Sequence, residues 1–480
     1  MGVLSFSRAC ILPITLQDYC KVESSNLVRA LGVGDLTWLY VVAVVNLNFV
    51  PVVAAEGGRA IWLWGAAILL FFIPQGIAVL ELAERMPGEG GLYLWTKETY
   101  GDFSGFVCGW CYWLTNMFFV PSLLFYVTGV TAYMGAAALG ENRLFFFVLT
   151  TALLWLTILA NVCGLGVGKW VNNIGGIGSL VIAFALMGFA ASLIWGRGNH
   201  LAWNALAFGK INSFPLPMLA VVCLAMVGLE IGPVMGDEVR DPRRTFVRAI
   251  LLGGTLCVIT YVGATVALVA SVPTAEIGVV QGLMQAVDRL STGLGLSWLL
   301  LPLAVLMVGS IVGSTSAWVS GSARILFVCG LDRYLPKRLG RIHPRFGSPH
   351  VALAMFGLLS SAIIAMSFAG ASVKDAYLTL LNLAVALQMV SYALLFASLI
   401  KVAFSNPFKL VYFRRAPLRL ASMIGLAMTL LGLVVAFVPS SQISSIWSFE
   451  VKMILTFGVL VGAGCGLFVY YYRQQKSIAS

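Results

Sequence analysis

GLEIGPVMGDE, residues 228–238, closes a long apolar run, LPMLAVVCLAMVGLEIGPVMG, with a glutamate between two glycines and a proline three residues later. An ionisable side chain deep in a membrane span is costly, and by default it marks a substrate or ion pathway. Gly228, Gly232 and Gly236 each lower helix propensity by about 1 kcal/mol relative to alanine. Pro233 removes a backbone donor and clashes with the preceding turn. The segment therefore reads as a break in a helix, with Glu230 at the break. NLNFVPVVAAE, residues 46–56, has the same frame. Leu47, Pro51, Val52 and Glu56 fall where Leu229, Pro233, Val234 and Glu238 fall, and Asn48 stands in the place of Glu230.

The surrounding chain is membrane material. Of its 480 residues 60% are hydrophobic and 10% charged, against about 25% charged in a soluble domain. Twelve apolar runs occur, at 36–54, 61–80, 104–131, 145–164, 172–195, 215–236, 248–271, 297–329, 351–369, 377–400, 419–438 and 452–472. Each approaches the ~20 residues that cross a bilayer as a helix. With an even number of spans, 23 of the 30 Lys and Arg residues fall on the side of the termini and 7 on the other. That bias places both termini in the cytoplasm. Residues 1–30 read as a cytoplasmic tail, since the short run ACILPIT is followed by charges and not by a cleavage site. The net charge of +11 lies in loops such as RDPRRTFVR (240–248) and RYLPKRLGRIHPR (333–345). It reads as a topology signal against lipid headgroups, not as a nucleic-acid surface. Cys108 and Cys111 form a C-x-x-C with no second pair or nearby histidine, which points to helix packing. No metal cluster, phosphate loop or nucleophile–base pair appears, so no catalytic residue, metal or organic cofactor is expected, and the chain is not expected to be an enzyme.

The two opening segments lie in spans 1 and 6, which run outward and inward respectively. Five spans separate corresponding points, the arrangement of an inverted repeat. Secondary transporters are often built from two inverted halves with unwound helices near the bilayer midplane. Backbone groups freed by such breaks are tolerated only where they line a cavity or are otherwise satisfied. Half-helix N-termini then offer amide donors to an anionic group. Glu56, Glu81, Glu84 and Glu238 fall at span ends within reach of water, leaving Glu230 as the acid well inside a span.

Three stretches carry a family resemblance. AVLELAERMPGEGGLYLWTKETYG (78–101), GLEIGPVMGDEVRDPRRTFVRAI (228–250) and GSTSAWVSGSARILFVCGLDRYLPKRLGRIHPRFGSPHVAL (313–353) resemble the second, sixth and eighth spans and following loops of the amino acid–polyamine–organocation superfamily. The resemblance covers most of residues 30–400. It implies a leucine-transporter-like fold of twelve transmembrane helices, with inverted repeats at 31–197 (spans 1–5) and 198–402 (spans 6–10). Residues 403–480 then hold spans 11 and 12 and a short cytoplasmic tail. It also implies a plasma-membrane permease, symporter or antiporter carrying amino acids or related amines, coupled to H+ or Na+. Glu230 falls where arginine/agmatine antiporters have a glutamate linked to proton sensing. Trp318 matches an aromatic of their substrate pocket, and Asn116 a polar position near it.

The substrate site expected from these readings comprises Val45, Asn46, Leu47, Asn48 and Phe49 of span 1, Asn116, Gly228, Leu229, Glu230 and Ile231 of span 6, and Trp318. The family's G-S-G of span 1 reads here as VVN (44–46), so Asn46 and Asn48 stand in as side-chain donors. The lysine of many proton-coupled members is replaced by Ser179, which with Ser310, Ser314 and Thr315 forms a candidate sodium site. Leu224 replaces a tryptophan of the arginine/agmatine antiporters, which removes the basis for arginine specificity. Polyamines or other organic cations are the alternative substrates. A non-transporting amino-acid sensor on the same scaffold is the alternative outside transport. Oligomeric state is not legible in the chain.

Overall fold

The computed structural model describes residues 31–479 except 89, 136–138, 140–141, 198–214, 237–238, 274–275, 279–281, 333, 368–372, 406–411 and 440–445. The expected tail at 1–30, the start of the second expected repeat at 198–214, and Glu238 lie outside the described residues. Secondary structure among the described residues is helical, apart from one isolated bridge between Leu31 and Val239.

Two apolar helices stop short of membrane length. The first, α1 (Val33–Val44), is followed after four residues by α2 (Phe49–Ala54). Next come α3 (Arg59–Arg85), α4 (Leu92–Tyr100), α5 (Asp102–Gly135), α6 (Arg143–Val162) and α7 (Leu165–Arg197). The second short helix, α8 (Leu216–Ala225), is followed by the single turn α9 (Ile231–Val234). The remainder are α10 (Pro242–Ser271), α11 (Gly282–Gly293), α12 (Leu300–Leu331), α13 (His350–Ser367), α14 (Val373–Phe404), α15 (Arg415–Val435) and α16 (Ile446–Ala479). Ten helices among the described residues are long and apolar enough to cross a membrane, and α5 is the most enclosed by its neighbours.

Local sequence explains the irregularities. Asp35 accepts the Gly32 N–H at 3.0 Å and so caps the start of α1. In α3 a π-helical turn, Ile68–Phe72, immediately precedes Pro74. A wider turn accommodates a residue that has no N–H to give and a ring that crowds the turn before it. The short α2 and α9 each contain the proline of their segment, Pro51 and Pro233.

Helices α7 and α12 cross in close contact. A Cβ on Gly313 would come within 2.8 Å of the Gly175 Cα, so this crossing admits only glycine on either side. Small residues of this kind let membrane helices pack backbone to backbone. The same crossing joins the Ser179 and Ser310 hydroxyls.

The expected water-exposed position of Glu81 is corrected. Its side chain is fully buried. It accepts from Arg85 Nη2 at 2.7 Å and Nε at 2.8 Å, and from the Tyr412 N–H at 3.2 Å. Tyr412, just before α15, lies against the end of α3 and supplies part of the cover, which a span boundary read from hydropathy does not reveal. Around this carboxylate, Glu84 pairs with Arg243 at 3.3 Å and accepts the Tyr412 hydroxyl at 3.1 Å. Cys108 and Cys111 are buried free thiols, as their packing role requires.

Replacing Gly313 with leucine forces α7 and α12 apart. Overpacking of this kind destabilises by about 1–3 kcal/mol. Thermal unfolding of the detergent-solubilised variant is expected to begin at lower temperature; an unchanged melting curve would contradict the close crossing.

Candidate functional site

Helix α1 ends because its last carbonyls are taken by side chains instead of by a further turn. Asn46 Nδ2 donates to the carbonyls of Ala43 at 2.7 Å and Val44 at 3.2 Å. Trp318 Nε1 of α12 donates to the Ala43 carbonyl at 3.0 Å. Asn46 is in turn held by Ser314, whose hydroxyl donates to Oδ1 at 2.5 Å. The side-chain donors of Asn46 are therefore spent on the broken helix, and not left free for a substrate carboxylate as the sequence suggested. At Asn48, Nδ2 donates to the Tyr377 hydroxyl at 3.1 Å, while Oδ1 has no hydrogen bond.

The second break is built on Gly228. Its φ of +139° lies in the region that side-chain-bearing residues rarely adopt. A Cβ there would also meet Val44 Cγ2 at 2.8 Å, so Gly228 lets the two breaks touch. The turn bends the chain so that the Gly228 N–H points at the side chain of Glu230, 3.0 Å from Oε2. Two further donors reach the same oxygen: Gln75 Nε2 of α3 at 3.3 Å, and the Tyr392 hydroxyl of α14. Gln75 Nε2 also donates to the Tyr392 hydroxyl at 2.7 Å. The other carboxyl oxygen, Oε1, has no hydrogen bond although Glu230 is fully buried. The Tyr112 hydroxyl neighbours this carboxyl.

One side chain serves both breaks. The Tyr261 hydroxyl of α10 accepts the Asn46 N–H at 2.9 Å. It lies 2.6 Å from the Val44 carbonyl and 3.1 Å from the Ala225 carbonyl, at the ends of α1 and α8. A phenol has one proton to give, and the shorter distance favours Val44 as its acceptor.

The structure thus brings Asn46, Ser314 and Trp318 together at the first break. Glu230, Gly228, Gln75 and Tyr392 meet at the second. Val45, Leu47, Phe49, Leu229 and Ile231 are buried beside them. Phe49 stacks on Phe119 at 6.1 Å between ring centroids, and Phe119 meets the Trp318 ring edge-on at 5.6 Å. Asn116 turns back on its own helix, donating to the Tyr112 carbonyl at 2.9 Å and leaving Oδ1 unpartnered. Of the four candidate sodium ligands, Ser179 and Ser310 bond to each other and Ser314 to Asn46. Thr315 bonds to the Ile311 carbonyl of its own helix at 2.8 Å. Among the described residues no hydrogen bond joins the Ser179–Ser310 pair to Ser314 or Thr315, and no cluster of His, Cys, Asp or Glu could hold a metal ion.

Sequence reasoning missed Gln75, Tyr261, Tyr377 and Tyr392. Gln75 carried a signal, being an amide inside an apolar run. The tyrosines carried none, since membrane helices use the same residue for packing.

Two interrupted helices that meet inside a bundle of membrane-length helices, with a buried carboxyl at one break, define a membrane transporter. Comparison with known proteins carries this further: residues 30–463 match the amino acid permease family, and the chain belongs to it, within the amino acid–polyamine–organocation superfamily. It resembles an uncharacterized transporter of Legionella pneumophila, 27% identical over 92% of this chain and 95% of that one. It is 25% identical to the branched-chain amino acid permease BcaP of Bacillus subtilis, over 73% and 77% of the two chains. It is 22% identical to the probable agmatine/putrescine antiporter AguD of Lactococcus lactis, over 74% and 76%. The protein is a multi-pass membrane transporter and not an enzyme.

Tyr261→Phe removes the hydroxyl shared by the two breaks and leaves the buried Asn46 N–H with the Val44 carbonyl, at 2.9 Å, as its acceptor. Loss of such a hydrogen bond costs about 0.5–1.5 kcal/mol. Lower thermal stability in detergent is the expected result, and unchanged stability would remove Tyr261 from this role.

Proposed function

We propose that this transporter is a secondary active carrier of amino acids that works by alternating access, with Glu230 as its proton-linked group. In this reading the ten membrane-length helices and the two interrupted ones make twelve spans. They are arranged as inverted repeats at 31–197 and 198–402 with two further helices. Both termini face the cytoplasm, and the protein resides in the plasma membrane. The observation that carries the proposal is the asymmetry of the Glu230 carboxyl. Three donors converge on Oε2 while Oε1 is bare. A proton can therefore add to Oε1 without disturbing the bonds that hold the side chain in place. A substrate ammonium near Oε1 competes with that proton, so the two binding events are linked. Rocking one set of helices against the other around the breaks then exposes the site to either side in turn.

A polyamine or other organic cation is the second reading of the substrate. It is favoured by the amide of Asn46 being spent on the α1 carbonyls, where a carboxylate-bearing substrate would use free donors. The probable agmatine/putrescine antiporter among the relatives points the same way. Sodium coupling through Ser179, Ser310, Ser314 and Thr315 is the alternative to protons.

Uptake of labelled leucine and putrescine into proteoliposomes, with imposed H+ or Na+ gradients, separates these readings. Glu230→Gln is expected to fold, because it keeps the shape of the side chain, and to flatten the pH profile of uptake. A Gln variant with the full wild-type rate and profile would make Glu230 structural. Ligand binding without flux would identify a sensor.

A further inference from the structure

Helix α14 presents more to the site than Tyr392. Its residue Gln388 is fully buried, and neither its amide nitrogen nor its amide oxygen makes a hydrogen bond. A buried polar group without a partner is uncommon in native proteins and calls for an explanation.

Its position supplies one. At 100° per residue, Gln388 lies one turn before Tyr392 and about three turns after Tyr377, on the same face of the helix. That face meets both breaks, since Tyr377 bonds to Asn48 and Tyr392 to Glu230. The register against α5 fixes the level. Ser391 Oγ donates to the Cys108 carbonyl at 3.0 Å, and Tyr377 neighbours Tyr126. Numbers fall along α14 as they rise along α5, so the helices are antiparallel. One turn back from Ser391 is then level with one turn on from Cys108, which is Tyr112. Gln388 thus stands at the height of Tyr112, which neighbours Glu230.

The unpartnered atoms at this level and one turn further along α5 are mainly acceptors: Glu230 Oε1, Gln388 Oε1 and, a turn on, Asn116 Oδ1. Gln388 Nε2 is the accompanying donor. A ligand that satisfies such a set is rich in N–H groups. We propose that Gln388 is a substrate-contacting, specificity-determining residue that, with Glu230 and Asn116, receives a primary ammonium group. The inference rests on the transport reading above and deepens it. It places the positive end of the substrate against α14 and the second break.

The tests are Gln388→Leu and Gln388→Glu in the full-length protein. Because the amide makes no bond in the structure, its replacement by an apolar side chain of similar size is expected to leave the melting temperature of the ligand-free protein unchanged or higher. Uptake in proteoliposomes is measured with leucine and putrescine, both primary ammonium compounds. Loss of a hydrogen bond to a charged group is expected to raise KM for the carried compound about tenfold in the Leu variant, with the maximal rate within about twofold. Gln388→Glu keeps an acceptor for the ammonium and is expected to bring KM back toward the wild-type value. Wild-type kinetics in the Leu variant, or a lowered melting temperature without a change in KM, would show a structural amide and overturn the assignment alone. Wild-type protein that carries neither compound would overturn the transport reading and this assignment with it.

Discussion

The constraint on which the rest depends is the need to satisfy backbone groups freed in the middle of the bundle. Two helices stop where no water is available to take their last carbonyls. Asn46, Trp318 and Tyr261 do this work at the end of α1, and Tyr261 reaches the end of α8 as well. These side chains come from the first break itself, from α12 and from α10. The interruption of α1 is therefore a property of the assembled bundle and not of the segment alone. Glycine and proline weaken the helix locally, but polar side chains brought from elsewhere decide where it stops.

The two breaks are finished differently. At the first, neutral amides and hydroxyls tie helix to helix, and the Asn48 carbonyl oxygen is the side-chain acceptor left open. At the second, a carboxylate turns back on its own backbone through Gly228 and collects donors from α3 and α14. A titratable group is thus supported by helices outside the interrupted pair. Gln75 and Tyr392, and not the side chains of the first break, are its direct side-chain donors.

Much of this was legible in the sequence. Glu230, Gly228 and the two prolines announced the breaks through simple rules about charge, propensity and the missing proline donor. The pairing of the two segments followed from their shared frame, and the family followed from three stretches of loop and span. What surrounds the carboxyl was not legible. Tyr392 and Tyr261 are tyrosines among many in apolar helices, and only the packing angle of α10 and α14 turns their hydroxyls inward. The same limit misplaced Glu81, whose cover comes in part from Tyr412, more than three hundred residues further along the chain. Hydropathy reports how deep a residue lies along its own span, and says nothing of what a distant loop lays over it.

The π-helical turn Ile68–Phe72 gives Gln75 a mechanical character. Such a turn holds one residue more than an α-helical turn. Rewinding it to α geometry would rotate everything beyond it by about 100°. Gln75 is the third residue past that turn, and its amide is one of the donors on Glu230. The winding of α3 thus fixes where one of the three donors to a carboxyl on another helix is held.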